Sequence, residues 1–181
     1  AMNSVQSACE VLKNGGVIIH ATEAVFGLAV SLYDFGAFKK LSSLKNRPFS
    51  KKFIVLVSDV KSASDLVNLE VESKAKIITS WPGPNTWVLR ANESTPRWNV
   101  DSNGLLAIRV TAHAQCCEII EQVGPVLSTS ANRVGGTPPT SIREARDIFA
   151  NEVDFYLDGT LGGSDRVSAI KNGLTGQILR N

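Results

Sequence analysis

The sequence predicts an α/β protein: a single domain with a twisted sheet of mixed parallel and antiparallel strands and flanking helices. Three observations support this fold. Short apolar runs with β-branched residues alternate with amphipathic helical patterns. The alternation is irregular and ends in closely spaced, hairpin-like strands, which indicates a mixed sheet. The chain of 181 residues is long enough for one sizeable core, so we expect one domain spanning residues 1–181.

Strands are predicted where a short apolar run lies between turn-forming residues. The runs VIIHA, KFIVLVS and LLAIRV are the clearest of these. The predicted strands cover residues 17–21, 25–32, 52–58, 86–91, 105–110 and 125–129, with three more near 153–157, 167–171 and 175–180.

Helices are predicted from apolar residues that recur every three or four positions. The first begins with Ser4 as its N-cap and ends at Gly15-Gly16, and the second begins at Asp34 and ends before Pro48. Further helices are predicted from about residue 60 to 80, after a cap at Thr111, and from the capping box Ser141-x-x-Glu144 to Phe149.

Composition and charge restrict the possible classes of function. Hydrophobic residues make up 43% and charged residues 20%, and the net charge is +2, so any anion site must be local. The three cysteines, Cys9, Cys116 and Cys117, fit no zinc spacing and indicate buried thiols in a reducing compartment. No apolar run approaches the length of a membrane span, so we expect a cytoplasmic protein without a membrane partner.

The segment KNRPFSKKF, residues 45–53, contains four cations and no negative charge. Cations at a helix C-terminus complement the helix dipole, and a solvated basic loop is a second interpretation. The third is a cradle for a polyanion, with arginine as a planar fork and lysine as a mobile charge. The position between a helix end and a buried strand favours the cradle, because ligand crevices in α/β sheets form at strand ends.

Other polar residues lie next to buried strands. The stretch STSAN, residues 128–132, forms either a hydroxyl-rich turn or a surface that binds a nucleotide or an amino acid. It is not a P-loop, because the glycine pattern and its lysine are missing. Thr22 and Glu23 belong either to a simple turn or to a site. Arg109, inside an apolar strand, needs a partner or a ligand carboxylate or phosphate.

Together these stretches resemble the YrdC/TsaC (Sua-type) family of threonylcarbamoyl-AMP synthases. The matching segments run in family order over essentially the whole chain: ATEAVFGL, LKNRP with KKFIVLVS, WPGPNTWVL, LAIRVTAH, PVLSTSANRVGG and SAIKNGLTGQILR. A single S-x-N motif would be weak, whereas the ordered set is specific. The resemblance implies a YrdC-like fold with a concave basic groove. Ala21 and Pro138 depart from it, since the family usually has proline and a hydroxyl residue there.

The resemblance also implies site residues. The K-x-R motif, Lys45 and Arg47, would face the phosphates of ATP, with Lys51 or Lys52 on the same rim. The implied ATP-binding residues are Lys45, Arg47, Lys51, Ser130, Asn132 and Arg180. The implied threonine-binding residues are Thr22, Arg109, Ser128 and Ser168. Among these, Arg109 would bind the threonine carboxylate.

The implied reaction uses L-threonine, bicarbonate and ATP as substrates, with Mg²⁺ as the accompanying cation. The amine is carboxylated, the new carboxylate attacks the α-phosphate, and pyrophosphate leaves. Such a transfer depends on positioning and charge neutralisation. This agrees with a sequence that shows no catalytic triad and identifies no metal ligands. The adenylate would pass to partner proteins that modify tRNA beside the anticodon.

A competing interpretation is an RNA-binding or ribosome-maturation factor whose basic groove holds double-stranded RNA or tRNA. Binding of RNA without sequence preference would also be compatible with the enzyme. Exposed aromatic platforms are typical of RNA readout. The hydroxyls of STSAN and an arginine within a strand favour a small pocket instead.

Overall fold

One sheet of nine strands organises the computed structural model, which describes residues 3–181. Its order is β7-β1-β2-β6-β3-β5-β4-β8-β9. The strands are β1 (Ile18–Ala21), β2 (Phe26–Ser31), β3 (Ile54–Val57), β4 (Asn85–Arg90), β5 (Leu105–Val110), β6 (Val126–Ser130), β7 (Phe155–Tyr156), β8 (Ala169–Asn172) and β9 (Ile178–Arg180).

The sheet is mixed, as the sequence predicts. The pairs β1–β7, β3–β5 and β4–β8 are parallel, and the other five neighbouring pairs are antiparallel. Every predicted strand has a counterpart in the sheet, and β5 matches its predicted range in full.

Helices cover both faces of the sheet. They are α1 (Ser4–Lys13), α2 (Phe35–Leu44), α3 (Val60–Leu66), α4 (Lys74–Thr79), α5 (Ala114–Val123) and α6 (Ile142–Phe149). Neighbouring residues of β1 belong to different cores: Ile18 packs in the cluster with α1 and α5, and Ile19 packs in the cluster with α2 and α6. This division follows from the alternation of side chains along a strand. Among residues 3–181, no helix is long and apolar enough to cross a membrane.

The helix predicted over residues 60–80 is wrong in its middle part. The chain leaves helical geometry after Leu66, where Val67 forms a bridge with Ala91 and the Asn68 amide donates to the carbonyl of Arg90. The segment therefore joins the end of β4 before α4 begins. Sequence periodicity could not detect this interruption, because its cause is a contact with a distant strand.

Two predicted helix caps are also wrong. The N-cap of α1 is Asn3, whose side chain accepts a hydrogen bond from the Gln6 amide, and Ser4 is the first helical residue. The N-cap of α5 is His113, whose Nδ1 accepts from the Cys116 amide. The hydroxyl of Thr111 serves a different partner, described below. The Asp34 and Ser141 caps are confirmed.

A buried asparagine fixes the start of β3. Asn99 is fully buried, its Oδ1 accepts from the Phe53 amide at 2.9 Å, and its Nδ2 donates to the Phe53 carbonyl at 2.9 Å. The side chain thus replaces a strand neighbour for Phe53. Because Phe53 is the last residue of the basic segment 45–53, this contact also sets where that segment enters the sheet.

We expect Asn99→Ala to lower the free energy of unfolding substantially. The substitution leaves the Phe53 amide and carbonyl without partners, and a buried unpaired polar group costs about 1–3 kcal/mol. Denaturant unfolding of the variant measures the loss. The control is Asn103→Ala, which changes an exposed asparagine nearby and should stay within about 0.5 kcal/mol of wild type. Equal stability of the two variants would contradict the prediction.

Candidate functional site

A cavity lies over β6, β3 and β5, beside the turn that follows β1. Its volume is about 260 Å³. Small-molecule sites begin at roughly 300 Å³, so the cavity suits a small ligand or part of one. Hydroxyl side chains from the turn after β1, from β6 and from the segment before β8 line it: Thr22, Ser128, Thr129, Ser130 and Ser168.

The cavity is strongly cationic. Five cations and, among the described residues, one carboxylate line it: Arg47, Lys52, Arg109, Arg166 and Arg180, with Glu23 as the carboxylate. The net charge of the chain is only +2, so the positive charge is concentrated here. A concave site with one sign of charge attracts polyanions such as phosphates.

Arg109 is the most buried of these cations. Only 8% of the residue is exposed, and its NH1 group forms an ion pair with Glu23. The other oxygen of that carboxylate accepts a hydrogen bond from the Thr111 hydroxyl at 2.6 Å. Burial lowers the pKa of the Arg109 guanidinium to about 10, so it stays charged at neutral pH. The arginine therefore has an internal counter-anion, and its contact with a substrate carboxylate stays a prediction.

The ammonium group of Lys45 donates to backbone carbonyls instead of lining the cavity. The residue is 4% exposed, and its Nζ donates to the carbonyls of Ser130 at 2.7 Å and Asn132 at 2.8 Å. Burial, with a smaller contribution from the Arg47 charge, lowers the pKa of Lys45 to about 8. Lys45 and Asn132 are not among the described residues that line the cavity. The lysine of the K-x-R motif thus holds the loop that carries S-x-N.

Arg47 points into the cavity. Its guanidinium lies over the Phe53 ring, 4.7 Å from the centroid, and NH2 is 3.5 Å from the Thr129 hydroxyl. These contacts are weak, so most of its donors remain for a ligand, and burial lowers the pKa of Arg47. Lys52 lines the cavity, whereas Lys51 is exposed and lies outside it. Of the two lysines that the sequence left as alternatives, the structure therefore places Lys52 at the rim.

The end of the chain closes the opposite side. Arg180 on β9 donates through Nε to the Ser168 carbonyl at 3.0 Å and through NH2 to the Ser168 hydroxyl at 3.2 Å. The hydroxyl of Thr86 donates to the Ser168 hydroxyl at 2.8 Å. Arg180 and Ser168, which the sequence assigns to different substrates, are thus direct neighbours.

Sequence reasoning missed several residues of the site. The sequence left Glu23 open between a simple turn and a site and predicted Thr111 as a helix cap. In the structure Glu23 binds Arg109 through one carboxylate oxygen and Thr111 through the other. Arg166, which no sequence pattern indicated, also lines the cavity, as does Thr129 of the STSAN candidate. The available signal for Glu23 was its position directly after a buried strand, together with the need of Arg109, within an apolar strand, for an anion.

The described residues fit no resident metal ion. No group of three His, Cys, Asp or Glu side chains in residues 3–181 could hold one. The carboxylate in the cavity, Glu23, is engaged by Arg109 and Thr111. A Mg²⁺ ion is commonly bound through substrate phosphates and waters, so any Mg²⁺ here would depend on the nucleotide.

The fold and the cavity define a class of protein: an α/β domain with a cationic small-molecule site across a mixed sheet. A sequence model of the family described as "Telomere recombination", which groups Sua5, YciO and YrdC, matches residues 10–181. The threonylcarbamoyl-AMP synthase of Coxiella burnetii (strain RSA 493 / Nine Mile phase I) is 35% identical over 179 residues, 98% of this chain and 96% of that protein. That of Halorhodospira halophila is 38% identical over 178 residues, 97% and 93% of the two chains. The chain belongs to the Sua5/YciO/YrdC family.

Solved structures agree with this assignment. The structure of P. abyssi Sua5 complexed with L-threonine has a TM-score of 0.84 and 26% identity, and the match covers 93% of this chain. This chain spans about half of that protein, since the match covers 50% of it. E. coli YciO has a TM-score of 0.86 at 21% identity, which shows the shared fold alone.

We expect Lys45→Met to destabilise the protein and to disorganise the S-x-N loop. Methionine keeps the length of the side chain but removes the donors to the Ser130 and Asn132 carbonyls, at a cost of about 1.5–3 kcal/mol for a charged hydrogen bond. Denaturant unfolding gives the loss, and Lys51→Met, at an exposed lysine in the same segment, is the control. Wild-type stability of Lys45→Met would show that the ammonium does not hold this loop.

Proposed function

We propose that the protein is a threonylcarbamoyl-AMP synthase, a nucleotidyltransferase that uses L-threonine, bicarbonate and ATP. The observation that carries the proposal is the cavity, in which a buried arginine and hydroxyls stand beside several further cations. This combination suits a carboxylate and a polyphosphate in one small space. The proposal is supported by the name of relatives that match 97–98% of this chain and by the threonine complex of P. abyssi Sua5.

The cations divide into two groups, and we assign one to each substrate. Arg47 and Arg180 would bind the phosphates of ATP. Lys52 would contribute its charge from the cavity wall, because its Nζ already donates to the carbonyls of Phe49 and Trp98. Ser130 would contact the nucleotide. Lys45 would hold Ser130 and Asn132 in place through hydrogen bonds to their backbone carbonyls. The threonine site would combine Arg109 with the hydroxyl residues Thr22, Ser128 and Ser168. Lys51, an exposed residue, would act only through long-range attraction of the nucleotide.

The chemistry requires positioning more than a side-chain nucleophile. The threonine nitrogen attacks the carbon of bicarbonate, and the carbamate forms with loss of water. A carbamate oxygen then attacks the α-phosphorus of ATP. The bond between the α-phosphorus and the oxygen that bridges it to the β-phosphorus breaks, and pyrophosphate leaves. The cations neutralise negative charge while the two anionic reactants approach each other. No step is assigned to a metal ion held by the protein, and Mg²⁺ would enter with ATP.

Incubation with ATP, L-threonine and bicarbonate tests the proposal, with mass detection of the adenylate. Isotopic label from ¹³C-bicarbonate should appear in the product, and pyrophosphate should form in equal amount. Reactions that lack threonine or bicarbonate are the controls. If folded protein forms no labelled adenylate under these conditions, the proposal fails.

The product would pass to partner proteins that attach it to tRNA, in the cytoplasm. RNA binding by this chain itself would then rest on phosphate contacts without sequence preference and fall steeply as salt rises. Tight, sequence-selective RNA binding at physiological salt, without adenylate formation, would instead support an RNA-binding factor.

We expect Arg47→Ala to weaken ATP binding far more than it lowers stability. Arg47 makes only weak contacts within the chain, so its main loss should be a charged hydrogen bond to phosphate, about 1.5–3 kcal/mol. Calorimetric titration with ATP measures the affinity. The control Arg143→Ala removes an exposed arginine on α6. Unchanged ATP affinity in Arg47→Ala would remove this residue from the phosphate site.

We expect Arg109→Lys to raise the apparent KM for threonine and to leave that for ATP little changed. Lysine keeps the charge but loses the planar fork that matches a carboxylate. Steady-state kinetics with each substrate varied measures the two constants. An effect on ATP alone would move Arg109 to the phosphates.

The same site should prefer threonine to valine, which has the same shape but lacks the hydroxyl. Polar groups built for that hydroxyl would stay unpaired with valine. Competition between the two amino acids in one reaction measures the preference, and equal use of both would show that the pocket does not read the hydroxyl.

A further inference from the structure

The ion pair on the cavity wall leaves part of Arg109 unused. Its NH1 group binds Glu23, but within residues 3–181 its buried Nε finds no hydrogen-bond partner. Arginine has five N–H donors in a fixed fork. Nε has almost no accessible surface, so it does not meet a ligand directly, and the donors that remain for one are on the 9% of the side chain that is exposed at the cavity wall. A guanidinium that is held at NH1 in this way is already oriented for such a ligand.

Glu23 itself is fixed from two directions. The Thr111 hydroxyl donates to its carboxylate, and its backbone carbonyl accepts from the Ser164 amide at 2.9 Å. Next to it, the Thr22 carbonyl accepts from the Gly162 amide at 3.0 Å. A Cβ at Gly162 would lie 2.9 Å from the Glu23 Cα, so the two segments pack as closely as glycine allows. The carboxylate therefore has little freedom to move.

Stability alone does not explain this arrangement. The free energy of removing two charges from water usually exceeds the attraction that a buried ion pair gains. Proteins with apolar residues of similar volume in place of such a pair are often at least as stable. The pair is kept at a cavity wall, where 9% of the Arg109 side chain and 12% of the Glu23 side chain remain exposed. Such an arrangement restricts the guanidinium before a ligand arrives, so less side-chain freedom is lost on binding.

We propose that Glu23 is a positioning residue for substrate recognition: it fixes Arg109 through NH1, with Thr111 as its support, so that the remaining donors of Arg109 face the amino-acid carboxylate. This inference rests on the proposed function, because it takes an amino acid as the ligand. Glu23 acts through Arg109 and does not itself need to touch the substrate. The expected signature is a loss of threonine affinity with little change in ATP affinity or in kcat.

Three variants of the full chain separate positioning from simple stability. Glu23→Gln keeps the size and one acceptor but removes the charge, and Glu23→Asp keeps the charge on a shorter side chain. Thr111→Val removes the supporting hydroxyl, which also accepts a hydrogen bond from the His113 amide at 3.1 Å. The control Glu118→Gln removes an exposed carboxylate on α5, outside the cavity. Each protein is measured for thermal midpoint, for direct threonine binding by calorimetry, and for kcat and both KM values.

Glu23→Gln should weaken threonine binding roughly ten- to hundredfold, the range expected when a charged hydrogen bond is lost. Glu23→Asp and Thr111→Val should give smaller losses of the same kind, and combining Thr111→Val with Glu23→Gln should add little, because the hydroxyl acts through the carboxylate. ATP affinity should stay within about twofold in every variant, and Glu118→Gln should behave as wild type.

Several results would overturn the inference. One is an unchanged threonine affinity in Glu23→Gln. A second is tighter threonine binding in this variant, which would show that Glu23 competes with the substrate for Arg109. The third is an equal loss of affinity for threonine and for ATP that parallels the fall in thermal midpoint. If Glu23→Gln does not fold, Thr111→Val decides the question by the same measurements. Wild-type protein that binds no threonine would remove the proposed function and this inference together, whereas wild-type binding with an unaffected Glu23→Gln would remove the inference alone.

Discussion

The architecture of the site depends on the burial of one arginine in the centre of the sheet. Arg109 lies on β5, between β3 and β4, where only 8% of the residue is exposed and little water can hydrate its charge. A buried charge needs a counter-charge nearby, and Glu23 supplies it from the turn after β1. That turn must therefore remain beside the end of β5, although other strands separate β1 from β5 in the sheet order. This turn also forms one wall of the cavity.

The second buried cation, Lys45, is stabilised by backbone carbonyls and not by a carboxylate. Lys45 donates to two backbone carbonyls at the end of β6 and in the following loop, so its donors are used within the chain. In the described part of the chain, Arg109 binds one side chain, that of Glu23, and its Nε has no hydrogen-bond partner. This difference decides which of the two buried cations is available to a ligand. It also separates the two members of the K-x-R motif, because Arg47 is the one that reaches the cavity.

The sequence predicted the strands well and the partners of the polar residues poorly. Strands such as β1 and β5 are recognisable because their apolar residues reflect burial, which is a local signal. The ion pair between Glu23 and Arg109 joins residues 86 positions apart, and no local pattern encodes it. The same holds for the break between α3 and α4, which depends on β4. The need of Arg109 for an anion was predictable, whereas the choice among carboxylates required the register of the sheet.

The balance of charge in the cavity connects the fold to the order of events in the proposed reaction. Among the described residues five cations and one carboxylate line the cavity, so its walls carry net positive charge. Burial lowers the pKa of Arg109, and repulsion from Arg180 adds a smaller contribution in the same direction. Binding of a triphosphate and an amino acid relieves the repulsion, which stabilises the complex relative to the free protein. Departure of pyrophosphate removes most of the negative charge that the cations had bound. The adenylate keeps one phosphate and so retains fewer charged contacts, which favours its release over that of the intact nucleotide.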